Sequence, residues 1–592
     1  MPNLRRHLRL IALTAVAVLL AACVPIPPAA PLPASSAPSS AATPVTDRAK
    51  SAAVEYDLGE TTITQARFPE GSRFRNMPVR LNGLIAVPDG EGPFPVIVIL
   101  HGTHPGCPEI DHVDRWPCDP AVEQPNYRGF GYLAEDLAAH GYVALSININ
   151  AENTFGFGEP VPGERLTQIV DKHLRALAAA ATGGENKFGV DLKWKADLRR
   201  LGFAGHSRGG DLAVMLTAGP DMAAAAASPD GYGPVAGVLM IAPSPGFADP
   251  AKGSPVPLGI ILPMCDADVI NQEGQHFYEG ARLAAGQQAW VTSAFLDAAS
   301  HNYFNSTLGH DPFGRFKRPD CETRLDAQAQ QMFLGDYAVD FFESVFGDAA
   351  AARAAKARLG MDPATAAPPE LYGLGARVAV LPAAAKRTAV FTPASAEELT
   401  TNRLGGAVQA QGVTTFFCEA GHYAPTTRPG TEPCRRANLV IPGDPALAVV
   451  SWEKPGASLR FEIPEGKGDL SLATSAEGAI SVRAAVDPLS KLNAVGQAQG
   501  FSLRVTDGAG KTAAVATRSD EPALRYPAGE VVEDATFGDM FTGRLPLTAV
   551  RVSLSALQGV DWTDIREVAL VFDRASSGSL FLADLEWVHA GK

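Results

Sequence analysis

The sequence predicts an α/β fold, a doubly wound and mostly parallel sheet, followed by an all-β sandwich. The chain has 592 residues, which is more than one hydrophobic core can serve, because single cores stop growing at roughly 250–300 residues. Between residues 55 and 358 strand-like and helix-like segments alternate, which is typical of a parallel sheet covered by helices on both faces. After residue 385 short alternating runs are separated by Gly- and Pro-containing turns, which indicates antiparallel β-structure.

The first 54 residues predict export and a tether. Residues 1–23 combine a basic start with the uncharged run Leu10–Ala22, which is too short to be a permanent membrane span. The run ends in L-A-A-C, which looks like a lipobox, so we expect Cys23 to be lipidated and the folded domains to be held outside the cytoplasm on the cell envelope. The alternative is an ordinary secretory signal with a coincidental cysteine. Residues 24–54 are rich in Pro, Ala and Ser and predict an extended tether.

Residues 55–358 form the predicted α/β domain. Pro95–Leu100 is a continuous β-branched run that predicts a buried central strand. The other predicted strands are Thr61–Phe68, Val79–Val87, Tyr142–Ile147, Leu201–Ala204, Val235–Ile241, Leu258–Leu262 and Trp290–Leu296. The predicted helices are Tyr127–His140, Arg165–Ala180, Asp211–Ala218, Gly274–Ala285 and Arg324–Phe346.

The composition and the hydrophobic pattern of the sequence change after this domain. Residues 359–384 are predicted to be a linker, because Asp362–Pro369 is rich in Ala and Pro. Residues 385–592 are predicted to form the β-sandwich. Its clearest strands are Leu459–Ile463, Phe501–Val505, Val568–Phe572 and Leu580–Asp584.

Charge and cysteine usage restrict the partners. The net charge is −14 and thinly spread, which disfavours a polyanionic partner, so nucleic-acid binding is not expected.

Beyond Cys23 six cysteines remain, and an exported protein is expected to pair them. The predicted local pairs are Cys107–Cys118 and Cys418–Cys434, while Cys265 is either paired with Cys321 or a buried free thiol. The absence of a C-x-x-C motif disfavours zinc, and we expect neither a metal nor an organic cofactor.

The sequence G-H-S-R-G at residues 205–209 matches the G-x-S-x-G pattern of a nucleophile elbow. In such an elbow the serine stands on a strand-to-helix turn that is too tight for side chains at the flanking positions, hence the glycines. A predicted strand precedes the motif and a helix-compatible run follows it. Ser207 is therefore the predicted nucleophile.

A serine hydroxyl needs a base to take its proton and an acid to orient that base. In this architecture the acid and then the histidine follow later strands of the sheet. Asp266 and Asp268 follow the strand that ends at Leu262, and His301 follows the next strand. We predict His301 as the base. Asp268 is the preferred acid, because C-x-x-D at residues 265–268 resembles the G-x-x-D turn common after this strand, and Asp266 is the alternative.

The first central strand ends at His101-Gly102, where an oxyanion hole is expected. Backbone N–H groups must meet the negative charge that develops on the attacked carbonyl oxygen. The predicted donors are the amides of Thr103, with His104 as a variant, and of Arg208. A competing interpretation is a metal cluster made of His101, His104, Cys107, His112 and nearby aspartates. The segment 106–126 either overhangs the site and shapes substrate access or is a surface loop without that role.

Residues 55 to about 350 resemble the α/β-hydrolase superfamily, over roughly half of the chain. The elbow H-S-R-G-G and the C-x-x-D turn look like those of secreted cutinase-like polyester hydrolases, chlorophyllases and platelet-activating-factor acetylhydrolases. That resemblance implies a triad of Ser207, Asp268 and His301, with Thr103 and Arg208 as oxyanion donors. The long insertion and the appended C-terminal domain depart from those families. The C-terminal domain is weakly similar to carbohydrate-binding jelly rolls, particularly in its closing strand with Asp584. The alternative is that it is a packing or spacer domain.

The expected activity is hydrolysis of carboxylic esters, on a small-molecule or polymeric substrate, through an acyl-enzyme. One alternative is a serine peptidase on the same triad. The other is a non-catalytic lipoprotein that binds glycan or polymer through its surface.

Overall fold

The computed structural model describes residues 52–588 apart from short gaps. The gaps are 73–74, 111–112, 115, 156–162, 218–219, 229–230, 271, 285, 312–320, 364, 420–444, 469–477, 488–489, 495 and 526–545. The predicted signal segment, Cys23 and nearly all of the tether lie outside the described residues. Within the described part of the chain, no helix combines the length and the apolar character needed to cross a membrane.

The N-terminal domain is built on a ten-stranded mixed sheet. Its strands are β1 (Val54–Thr64), β2 (Asn76–Ala86), β3 (Phe94–Leu100), β6 (Val143–Ile147), β7 (Ala196–His206), β8 (Val235–Ile241), β9 (Leu258–Pro263), β10 (Val291–Leu296), β11 (Glu370–Leu371) and β12 (Leu374–Leu381), while β4 (Glu109–Ile110) and β5 (Val113–Asp114) form a separate hairpin. The order across the sheet is β1-β2-β6-β3-β7-β8-β9-β10-β12-β11. The six adjacent strands from β6 to β10 in this order are parallel to each other, and each of the four outer strands pairs antiparallel with its neighbours. The carboxyl ends of β3, β7, β9 and β10 therefore meet at one edge.

Helices cover both faces of this sheet. They are α1 (Gly131–Ala139), α2 (Asn150–Phe155), α3 (Glu164–Ala181), α4 (Arg208–Thr217), α5 (Pro220–Ala227), α6 (Gln275–Leu283), α7 (Ala327–Phe346) and α8 (Ala349–Arg358). Successive side chains of β3 enter opposite layers: Val96 and Val98 join the cluster that contains α3 and α4, while Ile97 joins the one that contains α1 and α7. Both faces of a parallel sheet are thereby buried, as the continuous apolar run predicted.

Most predicted elements of this domain are present with small differences at their ends. Two predictions are wrong. The first strand is Val54–Thr64, not Thr61–Phe68. Residues 359–384 are not a linker, because they contain β11 and β12, and β12 pairs antiparallel with β10 through Leu381 opposite Val291.

The C-terminal domain is β-rich. Its strands are β13 (Arg387–Phe391), β14 (Val408–Gln411), β15 (Val413–Cys418), β16 (Leu447–Trp452), β17 (Ala457–Glu462), β18 (Ala479–Val486), β19 (Ser502–Asp507), β20 (Thr512–Ala516), β21 (Thr548–Ser553), β22 (Ile565–Phe572) and β23 (Gly578–Val588). One antiparallel sheet has the order β15-β16-β23-β18-β21, with β13 also on β23, and the other has the order β14-β17-β22-β19-β20. Side chains of both sheets, such as Val482 and Leu570, share one apolar cluster.

A buried ion-pair network joins the two domains. Arg483 on β18 donates to Asp584 on β23 at 2.6 Å and to Glu279 on α6 at 2.8 Å. Arg282 also donates to Glu279, at 3.0 Å. Each of these four side chains is at most 6% exposed. Asp584, the residue to which the resemblance to carbohydrate-binding domains pointed, is therefore occupied inside the protein and not presented to a ligand.

Two predicted disulfides are confirmed, namely Cys107–Cys118 and Cys265–Cys321. The alternative of a free thiol at Cys265 is thus wrong. Cys418 is also disulfide-bonded, but its predicted partner Cys434 lies outside the described residues.

Candidate active site

Ser207 lies in the sharp turn between β7 and α4. Its φ of 54° is in the left-handed region, which a non-glycine residue adopts only when its surroundings impose it. A Cβ on Gly205 would lie 2.2 Å from the carbonyl oxygen of Gly209, and a Cβ on Gly209 would lie 2.5 Å from that of Leu100. Both glycines of the motif are required by this close approach of backbone to backbone.

His301 lies in the loop after β10 and is bound to Asp266. Its Nδ1 donates to Oδ2 of Asp266 at 2.9 Å, and both side chains are at most 2% exposed. The other carboxylate oxygen of Asp266 accepts the backbone N–H of Asp268 at 2.9 Å and of Val269 at 2.6 Å. Asp266 is thus fixed by its own turn and orients the imidazole, which is what the acid of a triad must do.

Asp268, the predicted acid, lies on the other side of the imidazole. Its Oδ2 lies 3.5 Å from Nε2 of His301, the nitrogen opposite to the one that Asp266 binds, and its side chain is 61% exposed. Nε2 of His301 is buried and makes no hydrogen bond within the described residues. The geometry therefore favours Asp266, the alternative, as the acid, and Asp268 lies beside the opposite nitrogen of His301.

Four histidines gather around the elbow, and their pKa values separate them. Burial lowers the pKa of His101 to about 4, that of His104 to about 3, and that of His206 well below its ordinary value. Burial acts on His301 in the same direction, but the carboxylates around it outweigh burial and raise its pKa to about 9. His301 alone among the four has its pKa raised by neighbouring carboxylates, which stabilise its protonated form.

His206 supports the base from within the elbow. Its ring lies 4.8 Å from the ring of His301, measured between centroids. Its Nε2 donates to the backbone oxygen of His301 at 3.0 Å. The residue before the serine therefore holds the loop that carries the base.

The loop after β3 lies against the serine. A Cβ on Gly102 would be 2.9 Å from Cβ of Ser207. Asn153 on α2 donates to the backbone oxygen of Gly102 at 2.6 Å and lies 3.3 Å from Oγ1 of Thr103. His101 accepts the N–H of Ile149 at Nε2, 3.0 Å away, so its Nδ1 carries the proton and donates to Gly102 at 2.9 Å. Sequence reasoning missed Asn153, since no spacing or motif marks it.

Arg208, the second predicted oxyanion residue, begins α4 directly after the serine. Burial lowers the pKa of its guanidinium to about 10, against the opposing effect of nearby carboxylates that include Asp211 and Asp268. The guanidinium lies over the ring of Phe247, 5.4 Å from its centroid. Asp211 accepts the backbone N–H of Phe247 at 2.6 Å, so the first turn of α4 also fixes the loop after β8.

The metal cluster of the competing interpretation is not formed by the residues that the structure describes. Among them, no three His, Cys, Asp or Glu side chains are grouped to hold a metal ion. Cys107 is in a disulfide, His101 is engaged as described above, and His112 lies outside the described residues. The base of the 106–126 insertion is fixed by Asn150, whose Nδ2 donates to the backbone oxygen of Gln124 at 2.9 Å.

Comparisons with known proteins find similarity only at the level of solved structures. No family model matches the chain, and no curated protein matches it. A dienelactone hydrolase-like promiscuous phosphotriesterase from metagenomic libraries matches with 15% identity and a TM-score of 0.28, over 50% of this chain and 98% of its own. A fungal esterase from Rhizomucor miehei matches with 13% identity and a TM-score of 0.30, over 50% and 85%. An acylaminoacyl peptidase from Pyrococcus horikoshii matches with 13% identity and a TM-score of 0.28, over 50% and 42%. Matches at this level do not assign the chain to a family.

Proposed function

We propose that the chain is an α/β-hydrolase that cleaves carboxylic esters with Ser207 as nucleophile, His301 as base and Asp266 as acid. The observation that carries the proposal is the hydrogen bond of 2.9 Å from Nδ1 of His301 to Asp266, which leaves Nε2 without a hydrogen bond in the described residues. An imidazole oriented by a carboxylate, with Nε2 uncommitted, and a serine held at a positive φ on a glycine-flanked turn are parts that general-base activation of a serine uses.

The reaction follows from the roles of these groups. Nε2 of His301 takes the proton of the Ser207 hydroxyl while its oxygen attacks the ester carbonyl. The amides of Thr103 and Arg208 stabilise the oxyanion of the tetrahedral intermediate. The proton is then delivered to the departing alkoxide, and water attacks the acyl-enzyme with the same base to release the acid. No cofactor takes part in this sequence.

A fluorophosphonate probe and p-nitrophenyl esters of short and long acyl chains test this proposal. We expect the wild type to be labelled and to turn over esters. Ser207→Ala is expected to lose labelling and at least about 10⁴-fold in kcat/KM, because the nucleophile is gone. Ser306→Ala is the control, since Ser306 is exposed and its hydroxyl binds only the backbone of Gly129 among the contacts described. A folded wild type that is neither labelled nor active would contradict the proposal.

We also propose that Cys23 is lipidated and anchors the chain to the cell envelope. The support is the basic start, the apolar run and the cysteine at its end. Replacing Cys23 with serine is expected to move the protein from the membrane fraction to the soluble fraction. Retention of Cys23→Ser in the membrane fraction would contradict the anchor.

A further inference from the structure

A buried carboxylate outside the triad joins the loops that carry the acid and the base. Oδ2 of Asp311 accepts the backbone N–H of Ala267 at 3.0 Å and that of His301 at 3.1 Å. Its Oδ1 accepts the N–H of Asn302 at 3.3 Å. The residue is 4% exposed, so these charge-assisted bonds are protected from water.

The two loops follow different strands, and the carboxylate of Asp311 bridges them. Ala267 stands between Asp266 and Asp268 in the turn after β9, while His301 is in the loop after β10. One oxygen atom of Asp311 thus fixes the distance between the backbone of the acid and the backbone of the base. Arg324, which donates to the backbone oxygen of Asp311 at 2.6 Å, holds the carboxylate-bearing segment in place.

We propose that Asp311 is a positioning residue of the hydrolase: it holds the Asp266 turn and the His301 loop together, so that the acid–base hydrogen bond forms and the imidazole keeps its orientation. This inference rests on the proposed function.

Asp311 also acts on the base through its charge. The ionisable groups that face His301 are the carboxylates of Asp266, Asp268 and Asp311 and the neutral imidazoles of His104 and His206. Burial lowers the pKa of His301, and the three carboxylates raise it to about 9. Because the base must be neutral to accept a proton, kcat/KM is expected to rise with pH through this pKa. Removing the charge at residue 311 lowers that pKa and moves the acidic limb of the profile to lower pH.

Two substitutions separate positioning from charge. Asp311→Asn removes the charge but keeps one carbonyl oxygen that can accept the N–H groups of Ala267 and His301. Asp311→Ala removes both. We expect the acidic limb to shift to lower pH in both variants, and kcat per fluorophosphonate-labelled site to fall by roughly 10- to 100-fold in Asp311→Ala and by less in Asp311→Asn.

Asp326→Asn is the matched control. Asp326 is an exposed aspartate that caps α7 through the N–H of Ala329 and loses the same charge on substitution. Its pH profile and its kcat per labelled site are expected to equal those of the wild type. Normalising to labelled sites removes any loss of folded protein, and if Asp311→Ala does not fold, Asp311→Asn carries the test.

The outcomes are distinct. An active wild type beside an Asp311→Asn variant with an unchanged acidic limb and an unchanged kcat per labelled site overturns the inference alone. A wild type that neither labels nor hydrolyses overturns the proposed function and the inference together.

Discussion

Asp266 and Asp268, separated by a single residue, have opposite surroundings. Asp266 turns inward, since one of its oxygens accepts two backbone N–H groups of its own turn and the other accepts Nδ1–H of His301. Asp268 is 61% exposed and lies 3.5 Å from the free nitrogen of the same ring. The sequence alone could not separate them, because both follow β9 at nearly the same distance and the choice depends on which way the turn folds.

Substitution by asparagine is expected to separate the two aspartates. Asp266→Asn should lower kcat by about 10⁴-fold, because an amide does not stabilise the imidazolium and favours the wrong tautomer. Asp268→Asn should instead raise kcat/KM at pH 7. Asp266 is the main cause of the raised pKa of His301, and Asp268 adds to it. Removing the charge of Asp268 therefore lowers that pKa and leaves a larger fraction of the base neutral, by about tenfold for each unit of pKa.

Steady-state hydrolysis of a p-nitrophenyl ester from pH 6 to pH 10 measures both effects. The acidic limb of Asp268→Asn should lie at lower pH than that of the wild type. If kcat fell more in Asp268→Asn than in Asp266→Asn, the assignment of the acid to Asp266 would be wrong and Asp268 would be the acid.

At the scale of elements, local sterics made the elbow predictable. The glycines at 205 and 209 are dictated by backbone contacts within a few residues and with the end of β3, so the motif itself carries the geometry. The edge strands β11 and β12 were not predictable in this way. Their segment begins in an Ala- and Pro-rich run, and what makes β12 a strand is its pairing with β10, about eighty residues earlier in the chain. Such non-local partners leave no local pattern.

The Cys265–Cys321 disulfide fastens the element that carries the acid. Cys265 precedes Asp266, its N–H donates to the backbone oxygen of Ala299 at 2.8 Å, and the bridge closes a loop that contains both Asp266 and His301. We expect Cys265→Ser with Cys321→Ser to lower the free energy of unfolding by about 2–4 kcal/mol. We also expect kcat per labelled site to fall, because the turn that carries Asp266 is no longer held by the disulfide.

Cys107→Ser with Cys118→Ser is the control for that experiment. This disulfide spans only 11 residues in the insertion, so its loss should reduce stability by less and leave kcat per labelled site close to that of the wild type. Urea unfolding and active-site titration measure the two quantities. Equal kcat in the two double variants would show that the 265–321 bridge stabilises the fold without supporting the site.

At the scale of the whole molecule, the β-rich domain is bound to the N-terminal domain. Arg551 of β21 donates to the backbone oxygen of Gly360 at 2.6 Å, and Arg525 donates to Asp297, at the end of β10, at 2.9 Å. Together with the buried network around Arg483, these contacts reach the strand that leads to His301. The two domains are therefore expected to unfold together, although the sequence predicted a linker between them.

Arg483 is the residue on which that coupling is best tested. Its guanidinium is shared by Glu279 of α6 and Asp584 of β23, and all three side chains are at most 3% exposed. Arg483→Met keeps an unbranched side chain but leaves two carboxylates buried beside fewer cations, so we expect the free energy of unfolding to fall by about 3–5 kcal/mol. Arg460→Met is the control, because Arg460 pairs with Glu567 within the β-rich domain and its side chain is 31% exposed, so its loss should cost no more than about 1 kcal/mol.

Urea titrations followed by tryptophan fluorescence and by fluorophosphonate labelling decide whether the network couples the domains. All six tryptophans of the chain are described. Trp452 and Trp587 lie in the core of the β-rich domain and Trp562 packs against it, whereas labelling reports the N-terminal domain that carries Ser207. In the wild type the two transitions should coincide, since the interface is desolvated and ionic and neither half can leave it without exposing unpaired charge. In Arg483→Met both should move to lower urea together. If fluorescence moved and labelling did not, the β-rich domain would be an independent unit and its function would have to be sought apart from the catalytic site.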